Sequence, residues 1–330
     1  MNILVTGGAG YVGSHAARLL VRSGHDVWIY DNLSAGHRAA APAGRLIVGD
    51  LHDGALLRDA LRDCRIDAVM HFAAFALVGE SVTDPAKYYR NNFAGTLSLM
   101  EAMRDREVRR IVFSSTCATY GEPTAMPIRE DAPQAPVNPY GFTKLAIERA
   151  LDDFSAAYDW GFAALRYFNA SGASPDGDLG EDHTPESHLI PIVLQAALGQ
   201  REYVTIFGDD YPTPDGTCIR DYIHVDDLAA AHLAALTQLE PGVRLKLNLG
   251  TGRGASVREV IDACRRASGA DIPERVGPRR AGDPPELVAD PSLARQTLGW
   301  EPRYTSIEPI IETAWRWHQS HPHGYADANA

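Results

Sequence analysis

The segment Gly8-Ala9-Gly10-Tyr11-Val12-Gly13 restricts the possible folds of this chain more than any other feature. It follows the strand-like run Asn2–Val5 and precedes a stretch of helical length, Ser14–Ser23. Glycines at this spacing allow a tight turn and a close backbone approach to a pyrophosphate, whose charge the N-terminus of the next helix stabilises. The alternative is a glycine-rich turn that serves packing only. We predict a dinucleotide-binding turn that includes Gly7, Gly10 and Gly13.

Short strand-like runs alternate with stretches of helical length in the first half of the chain. The runs are residues 27–30, 45–48, 67–71, 110–113 and 163–167. Runs that are apolar throughout and alternate with helices predict an α/β fold, a Rossmann-type doubly wound parallel sheet covered on both faces.

The composition of the sequence changes after about residue 168, where loop-like segments rich in Gly, Pro and Asp begin. We expect residues 1–168 to form an NAD-binding Rossmann domain and residues 169–330 to form mainly a smaller, loop-rich α/β domain that binds substrate. A late strand-like run, Leu245–Leu249, could return to the first domain. Residues from about 221 to 252 are therefore expected to rejoin it.

Acidic residues end two of the strand-like runs. Asp31 stands where a carboxylate can bind the adenosine ribose 2′-hydroxyl of a dinucleotide. Because a carboxylate there repels a 2′-phosphate, we expect NAD rather than NADP. Asp50 ends the next run, and its carboxylate either contacts the adenine edge or is an ordinary acid of a strand-end turn.

A second group of polar residues begins at Asn138-Pro139, a pair typical of a helix N-cap followed by proline in the first turn. Tyr140 and Lys144 then lie about one helical turn apart on a shared face. A nearby ammonium favours the phenolate, so we expect Lys144 to lower the pKa of Tyr140 from about 10 towards neutrality, as a general base requires. The alternative is a solvated helix face.

A hydroxyl group for the same site is expected where the strand-like run Arg110–Phe113 ends, at the carboxyl edge of the sheet. Thr116 is the preferred residue. Ser115 and Ser114 are the alternatives, although their hydroxyls could instead cap the backbone. Thr116, Tyr140 and Lys144 form the predicted catalytic set.

The composition excludes several classes of protein. Lysine plus arginine number 31 and aspartate plus glutamate number 43, so the formal net charge is −12. This balance argues against a broad surface for nucleic acid or an anionic membrane, and no apolar run approaches the roughly 20 residues that span a bilayer. The four cysteines are far apart, and Met1 leads directly into a strand-like run without a basic segment. We expect a cytoplasmic protein with no metal site.

Several motifs extend these patterns over nearly the whole chain. In the first half they are Val5–His15, His71–Ala74, Val78–Val82, Ser114–Thr116 with Tyr120-Gly121, and Asn138–Gly141. In the second half they are Arg166–Asn169, Ile206–Thr217, Arg220–Val225 and Arg279–Asp283. The chain thereby resembles the extended short-chain dehydrogenase/reductases. The motifs around Phe207 and Arg220 resemble, more specifically, those of the UDP-glucose (UDP-galactose) 4-epimerases.

The resemblance implies roles for individual residues. Thr116, Tyr140 and Lys144 match the catalytic Ser/Thr, Tyr and Lys of the family. Positions matching NAD contacts are Tyr11, Val12, Asp31, Asn32, Asp50, Leu51, Phe72, Ala73, Ala74, Asn91 and Phe168, and we add Ser114, Tyr140 and Lys144. Positions matching contacts to the UDP-sugar are Asn169, Leu189, Phe207, Arg220, Arg280 and Asp283, and we add Thr116, His188 and Leu287.

These types of residue suit a nucleotide sugar. Two arginines, Arg220 and Arg280, suit a diphosphate, a carboxylate suits ribose hydroxyls, and the region of Phe207 can accept a uracil face. Surface ion pairs are the alternative for both arginines.

Three positions depart from the family pattern. Ala76 replaces a lysine that some members place near the cofactor pyrophosphate, and His188 stands where some members carry asparagine. Leu287 corresponds to a bulky tyrosine that closes the sugar pocket in members restricted to glucose and galactose. The smaller leucine suggests that N-acetylated sugars are also accepted.

The implied activity is NAD-dependent interconversion of UDP-glucose and UDP-galactose at C4 through a 4-keto intermediate. The alternatives are another NAD-dependent nucleotide-sugar epimerase, a 4,6-dehydratase, or a dinucleotide sensor without catalysis. A dehydratase carries an Asp-Glu pair after the threonine, where this chain has Cys117-Ala118. The resemblance also implies a homodimer, formed through helices near Ala94–Arg104 and Tyr140–Phe154, although those faces could equally pack inside one chain.

Overall fold

The computed structural model describes residues 1–42, 45–280 and 282–326, so Ala281 of the motif Arg279–Asp283 lies outside the described residues. The strands are β1 (Asn2–Thr6), β2 (Asp26–Asp31), β3 (Leu46–Val48), β4 (Ala68–His71), β5 (Arg110–Thr116), β6 (Gly161–Tyr167), β7 (Asn169–Ser171), β8 (Val204–Phe207), β9 (Ile219–His224), β10 (Arg244–Leu249), β11 (Gly254–Ser256), β12 (Glu274–Gly277) and β13 (Glu286–Leu287).

The helices connect these strands and cover the sheets. They are α1 (Tyr11–Arg22), α2 (Gly54–Asp63), α3 (Val78–Thr83), α4 (Pro85–Tyr88), α5 (Gly95–Asp105), α6 (Pro139–Tyr158), α7 (Leu189–Ala197), α8 (Val225–Thr237), α9 (Val257–Ser268), α10 (Ser292–Leu298) and α11 (Ile307–Ser320). A π-helical segment, Tyr89–Ala94, joins α4 to α5. Among the described residues, no helix has both the length and the apolar character needed to cross a bilayer.

Seven strands form one parallel sheet in the order β10-β6-β5-β4-β1-β2-β3. Chain order reverses between β1 and β4, which is the doubly wound arrangement. One face packs on α1 and α8 through residues such as Leu20 and Leu228, and the other packs on α2, α5 and α6 through Leu57, Leu99 and Ile147. The predicted Rossmann-type α/β fold is confirmed.

Each of the five strand-like runs of the first half overlaps a strand of this sheet, and two of them begin one residue early, at Arg45 and Asp67. Helix α1 begins at Tyr11, before the predicted Ser14, because Gly10 is its N-cap and the helix starts inside the glycine motif itself. Strand β10 pairs in parallel with β6, with Leu247 opposite Leu165, so a late segment of the chain forms one edge of the sheet.

The second half of the chain builds a smaller α/β part with its own core. Strands β11, β9, β13 and β7 form a four-stranded sheet, and β8 pairs with β12. Helices α7, α9 and α11 pack together through buried side chains that include Val193, Ile261 and Ile310. The connections at the carboxyl ends of the seven-stranded sheet face this second part across a cavity.

Candidate active site

One cavity of about 1520 Å³ runs along the carboxyl edge of the seven-stranded sheet and reaches into the loops of the second half. Single-ligand pockets are usually 300 to 1,000 Å³, so there is room here for two large ligands. The predicted residues that line the cavity are Gly7, Gly10, Tyr11, Val12, Gly13, Asp31, Asn32, Leu51, Phe72, Ala73, Ala74, Asn91, Thr116, Tyr140, Phe168, Asn169, His188, Leu189, Phe207, Arg220, Arg280, Asp283 and Leu287. The predicted residues Asp50, Ser114 and Lys144, all within the described ranges, lie outside the lining.

The glycine turn between β1 and α1 leaves no room for side chains. A Cβ on Gly7, whose φ is +71°, would lie 2.4 Å from the backbone nitrogen of Ala73. A Cβ on Gly13 would lie 2.1 Å from the carbonyl oxygen of Gly7. The N-cap residue of α1 is Gly10, and among the described residues no side chain accepts a hydrogen bond from the N–H groups of the first turn. These N–H groups can therefore donate to a bound anion. The turn therefore fits a pyrophosphate held by backbone groups.

Asp31, at the end of β2, connects that strand to the glycine turn. Its carboxylate accepts hydrogen bonds from the backbone N–H groups of Ala9 at 3.0 Å and Leu33 at 2.8 Å. Burial raises the pKa of Asp31 above its ordinary value, although both bonds favour the ionised form. The carboxylate is held at the edge of the cavity, where a ribose could reach it.

The Asp50 carboxylate is engaged in its own turn. It accepts hydrogen bonds from Asn32 Nδ2 at 2.9 Å and from the His52 backbone N–H at 2.9 Å. Burial raises the pKa of Asp50, but these two bonds outweigh that effect and hold the pKa below its ordinary value. Leu51, the next residue, lines the cavity in its place.

Helix α6 places Tyr140 and Lys144 beside the end of β5. Asn138 Oδ1 accepts a hydrogen bond from the Gly141 N–H at 2.8 Å, and Pro139 occupies the first turn, so the predicted helix start is confirmed. Lys144 Nζ donates to the Ser114 carbonyl at 2.7 Å and lies 5.9 Å from the centroid of the Tyr140 ring.

The expectation that Lys144 lowers the pKa of Tyr140 is wrong for the chain by itself. Burial raises the pKa of Tyr140 well above its ordinary value, and the neighbouring Thr116 hydroxyl offsets this only in part. Burial also lowers the pKa of Lys144 to about 7, so its charge is easily lost. A phenolate at this position requires a further positive charge beside the ring.

The three hydroxyls at the end of β5 point to different partners. Ser114 Oγ lies 2.6 Å from the hydroxyl of Tyr167, and Ser115 donates to the buried carboxylate of Glu148 at 2.6 Å. Thr116 Oγ1 accepts only a 3.1 Å bond from the Ala118 N–H among the described hydrogen bonds and lines the cavity. Of the three, Thr116 is the one whose residue faces the space beside Tyr140.

Charged residues of the second half line the opposite side of the cavity. Arg220 forms an ion pair with Asp283 and also donates to the backbone carbonyls of Ile219 at 2.7 Å and Pro284 at 2.8 Å. Its side chain is only 12% exposed, which distinguishes the pair from a surface ion pair. The Arg280 guanidinium lies 4.1 Å from the centroid of the partly exposed Phe207 ring. Two guanidinium groups thus border one space.

The three positions that depart from the family pattern all line the cavity. Ala76 brings no charge to it. Leu287, in β13, stands opposite Arg220 of β9 in the register of the sheet. His188 is the N-cap residue of α7, and its backbone N–H donates to Glu186 Oε1 at 2.8 Å.

Two further lining residues bear on the choice between reactions. Cys117 and Ala118, which follow Thr116, face the cavity. Burial raises the pKa of the Cys117 thiol to about 12, so it stays protonated at neutral pH. Neither side chain can act as the extra acid or base that elimination of water would need.

The sequence reasoning missed Glu181, His183 and Glu186, which line the cavity next to His188. Burial lowers the pKa of His188, but the neighbouring carboxylates, Glu181 first, outweigh this and raise it to about 10. A detectable signal was present: two histidines and two glutamates within eight residues, a spacing that brings potential ligand groups together.

Comparisons with known proteins identify the family of this chain. Residues 3–250 match the model of the NAD dependent epimerase/dehydratase family. The chain is 54% identical over 330 residues to a UDP-glucose 4-epimerase of Halalkalibacterium halodurans, covering 100% of this chain and 99% of the relative.

Two solved structures are also similar over almost their whole length. One is the UDP-glucose 4-epimerase of Brucella ovis in complex with NAD, with a TM-score of 0.93 and 53% identity, covering 95% of this chain and 97% of the other. The second is the UDP-glucose 4-epimerase of Bifidobacterium longum in complex with NAD+ and UDP, with a TM-score of 0.94 and 39% identity, covering 98% of this chain and 100% of the other. The expected cofactor, NAD, is the cofactor of the matched family. The chain belongs to the NAD dependent epimerase/dehydratase family.

Proposed function

We propose that this chain is a UDP-glucose 4-epimerase, an isomerase that interconverts UDP-glucose and UDP-galactose through a 4-keto sugar. The observation that carries the proposal is the position of Thr116 and Tyr140 in one cavity. On one side of them lies a turn fitted to a pyrophosphate, and on the other lie the guanidinium groups of Arg220 and Arg280. A cofactor and a nucleotide sugar can therefore meet at the phenol.

The residues along the sheet edge would hold NAD. The turn at Gly7, Gly10 and Gly13 would hold the pyrophosphate, and Asp31 would bind the adenosine ribose. Bound NAD supplies a hydride acceptor and donor and a positive charge beside Tyr140. The remaining cofactor contacts would come from Tyr11, Val12, Asn32, Leu51, Phe72, Ala73, Ala74, Asn91 and Phe168.

The catalytic step uses groups that the structure brings together. Tyr140, as phenolate, takes the proton of the sugar 4-hydroxyl while the C4 hydrogen leaves as hydride, which forms a 4-keto sugar. The Thr116 hydroxyl orients the reacting oxygen. The 4-keto sugar then rotates so that the opposite face of C4 receives the hydride, and Tyr140 returns the proton to the oxygen. Lys144 is held by its hydrogen bond to the Ser114 carbonyl, and in its protonated form it stabilises the negative charge of the Tyr140 phenolate.

The opposite side of the cavity would hold the nucleotide. Arg220 and Arg280 would bind the diphosphate, Asp283 the ribose hydroxyls, and Phe207 the uracil face. Asn169, His188 and Leu189 would contact the sugar and its diphosphate. Strong anchors on the nucleotide leave the hexose free to turn, as epimerisation requires.

Further proposals concern substrate range and organisation. We propose that the chain also accepts UDP-N-acetylglucosamine and UDP-N-acetylgalactosamine, because Leu287 leaves more room in the cavity than a tyrosine.

We divide the chain into an NAD-binding part, residues 1–168 rejoined by about 221–252, and a mainly substrate-binding part within 169–330. A cytoplasmic homodimer is proposed too. The four cysteines are free thiols, which supports the proposed location in a reducing compartment such as the cytoplasm. Sedimentation velocity, which distinguishes a monomer from a dimer, tests the proposed oligomeric state.

A product assay tests the central proposal. The chain is incubated with UDP-galactose and NAD, and separately with UDP-N-acetylgalactosamine and NAD, and products are followed by NMR. We expect UDP-glucose to form without net reduction of NAD. A 4-keto-6-deoxy sugar would identify a 4,6-dehydratase instead, and NAD binding without any turnover would identify a sensor.

A further inference from the structure

Four side chains with metal-ligating atoms converge beside the cavity. Glu181, His183, Glu186 and His188 lie within eight residues, directly before α7. One ligand atom from each, two imidazole nitrogens and two carboxylate oxygens, lies within 4.8 Å of all the others. None of these atoms takes part in the epimerisation steps described above, so the cluster needs a separate explanation.

Three of four nitrogen–oxygen separations in the cluster are close to those around a tetrahedral ion, and the fourth is shorter. Zinc binds nitrogen and oxygen ligands at about 2.0 to 2.2 Å, and tetrahedral ligands at such distances are about 3.4 Å apart. The separations are 3.3 Å between His183 Nδ1 and Glu181 Oε1, 3.5 Å between His188 Nδ1 and Glu186 Oε1, and 3.8 Å between His183 Nδ1 and Glu186 Oε2. The shortest, between His188 Nδ1 and Glu181 Oε1, is 2.6 Å.

Two of these atoms are buried without a hydrogen bond. Glu181 Oε1 and His183 Nδ1 have no hydrogen-bond partner among the described residues, although each lies close to the other members of the cluster. Their contacts within the cluster are 2.6 to 3.8 Å long, and none of them is a hydrogen bond among the described residues. Atoms that bind one metal ion need no hydrogen bond with one another, so a shared ion accounts for both unpaired atoms.

The charge of the cluster also suits a bound cation. The side chains of Glu181 and Glu186 are only 5% and 4% exposed. Two buried carboxylates are costly unless an opposite charge lies between them. A divalent ion bound by two carboxylates and two neutral imidazoles leaves the site uncharged.

The surroundings hold the ligands in place, as surrounding groups do at metal sites. The backbone N–H groups of Ser187 and His188 donate to Glu186 Oε1 at 2.7 and 2.8 Å. The Tyr11 ring stands edge-on to the His183 ring, with centroids 6.2 Å apart. The cluster therefore joins the first turn of α1 to the segment that precedes α7.

We propose that Glu181, His183, Glu186 and His188 bind one divalent transition-metal ion, with zinc as the ion that the mixed imidazole and carboxylate set favours. Four protein ligands complete a tetrahedron and leave no position for water, so the site is structural. It fixes the 181–188 segment against Tyr11 and thereby positions His188 and Leu189 at the sugar side of the cavity. The proposal departs from the sequence-based expectation of no metal, and it does not depend on the proposed epimerase activity.

The test measures metal content in the full-length chain, produced without a histidine tag in zinc-containing medium. Elemental analysis is expected to find about one zinc per chain. His188→Gln is expected to lose most of it, and this variant should fold because the His188 side chain is 45% exposed. His52→Gln, which removes an exposed histidine elsewhere, should keep the metal. Cobalt substitution should give the visible absorption of a tetrahedral site.

Circular dichroism and the melting temperature confirm that the variants are folded. Removing zinc from the parent chain with a chelator should lower its melting temperature, and added zinc should restore it, whereas His188→Gln should show neither change. The proposal is overturned if the untagged chain carries far less than one metal ion and zinc leaves its melting temperature unchanged. Equal metal content in His188→Gln and the parent overturns it as well. In both cases the cluster is a set of ion pairs between protonated histidines and the two carboxylates.

Discussion

The two sides of the cavity are positioned by different kinds of interaction. On the sheet side, backbone groups hold the functional side chains: the Ser114 carbonyl holds Lys144, and the Ala9 and Leu33 N–H groups hold Asp31. On the opposite side, lined by Phe207, Arg220, Arg280 and Asp283 and called the loop side below, side chains also hold one another, in addition to the backbone carbonyls that bind Arg220. Arg220 pairs with Asp283, and Arg280 stacks on Phe207.

This difference separates two demands on the site. Transfer of a proton and a hydride needs groups placed to within a fraction of an ångström, and strand ends packed in a buried sheet provide that precision. Binding a nucleotide needs charge that can exchange one partner for another, and the ion pair between Arg220 of β9 and Asp283 provides that. We therefore expect substitutions on the sheet side to reduce kcat and those on the loop side to raise KM.

The largest effect is expected on the sheet side, from Tyr140→Phe. Loss of a general base costs about 10²- to 10⁴-fold in rate, and kcat for UDP-galactose should fall by that amount while NAD still binds. Steady-state kinetics and the NAD content of the purified variant are the measurements. Tyr158→Phe, at the exposed end of the same helix, is the matched control. Full activity in Tyr140→Phe would remove the assigned base.

A smaller effect, and a different one, is expected on the loop side from Arg220→Leu. A hydrogen bond to a charged group contributes about 1.5 to 3 kcal/mol, so KM should rise about 10- to 100-fold while kcat changes little. The measurement is initial rate against UDP-galactose concentration. Arg279→Leu serves as the control, because that exposed arginine pairs with Asp210 outside the cavity lining. A fall in kcat with KM unchanged would contradict the proposed division of labour.

Local patterns were enough to predict the glycine turn, Asp31 and the catalytic set on the sheet side, whereas the other cofactor positions came from family resemblance. The glycine turn and the helix start at Asn138 depend on neighbours in sequence, and a strand has only one carboxyl end at which its residues can meet ligands. Arg220 and Asp283 are 63 residues apart and meet only after β9 and the loop before β13 have folded together. No spacing rule connects them, so that side was predicted from family resemblance alone.

The electrostatics were harder to predict than the positions. The one-turn spacing of Tyr140 and Lys144 indicated their proximity but not their burial, and burial reverses the expected direction of the Tyr140 pKa. The cluster around Glu181 is a related case: the spacing of its four residues is visible in the sequence, but only the fold shows that both of its carboxylates are buried.

The smallest expected effect concerns selectivity within the loop side. Leu287→Tyr adds a ring to a lining position, and overfilling a packed site costs about 1 to 3 kcal/mol. An N-acetyl group needs that space and a hydroxyl does not, so the ratio of kcat/KM for UDP-N-acetylgalactosamine to that for UDP-galactose should fall about tenfold. Leu293→Tyr, at an exposed position of α10, should leave the ratio unchanged. If Leu287→Tyr slowed both substrates equally, the side chain would support the fold of β13 without selecting the sugar, and the loop side would discriminate substrates elsewhere.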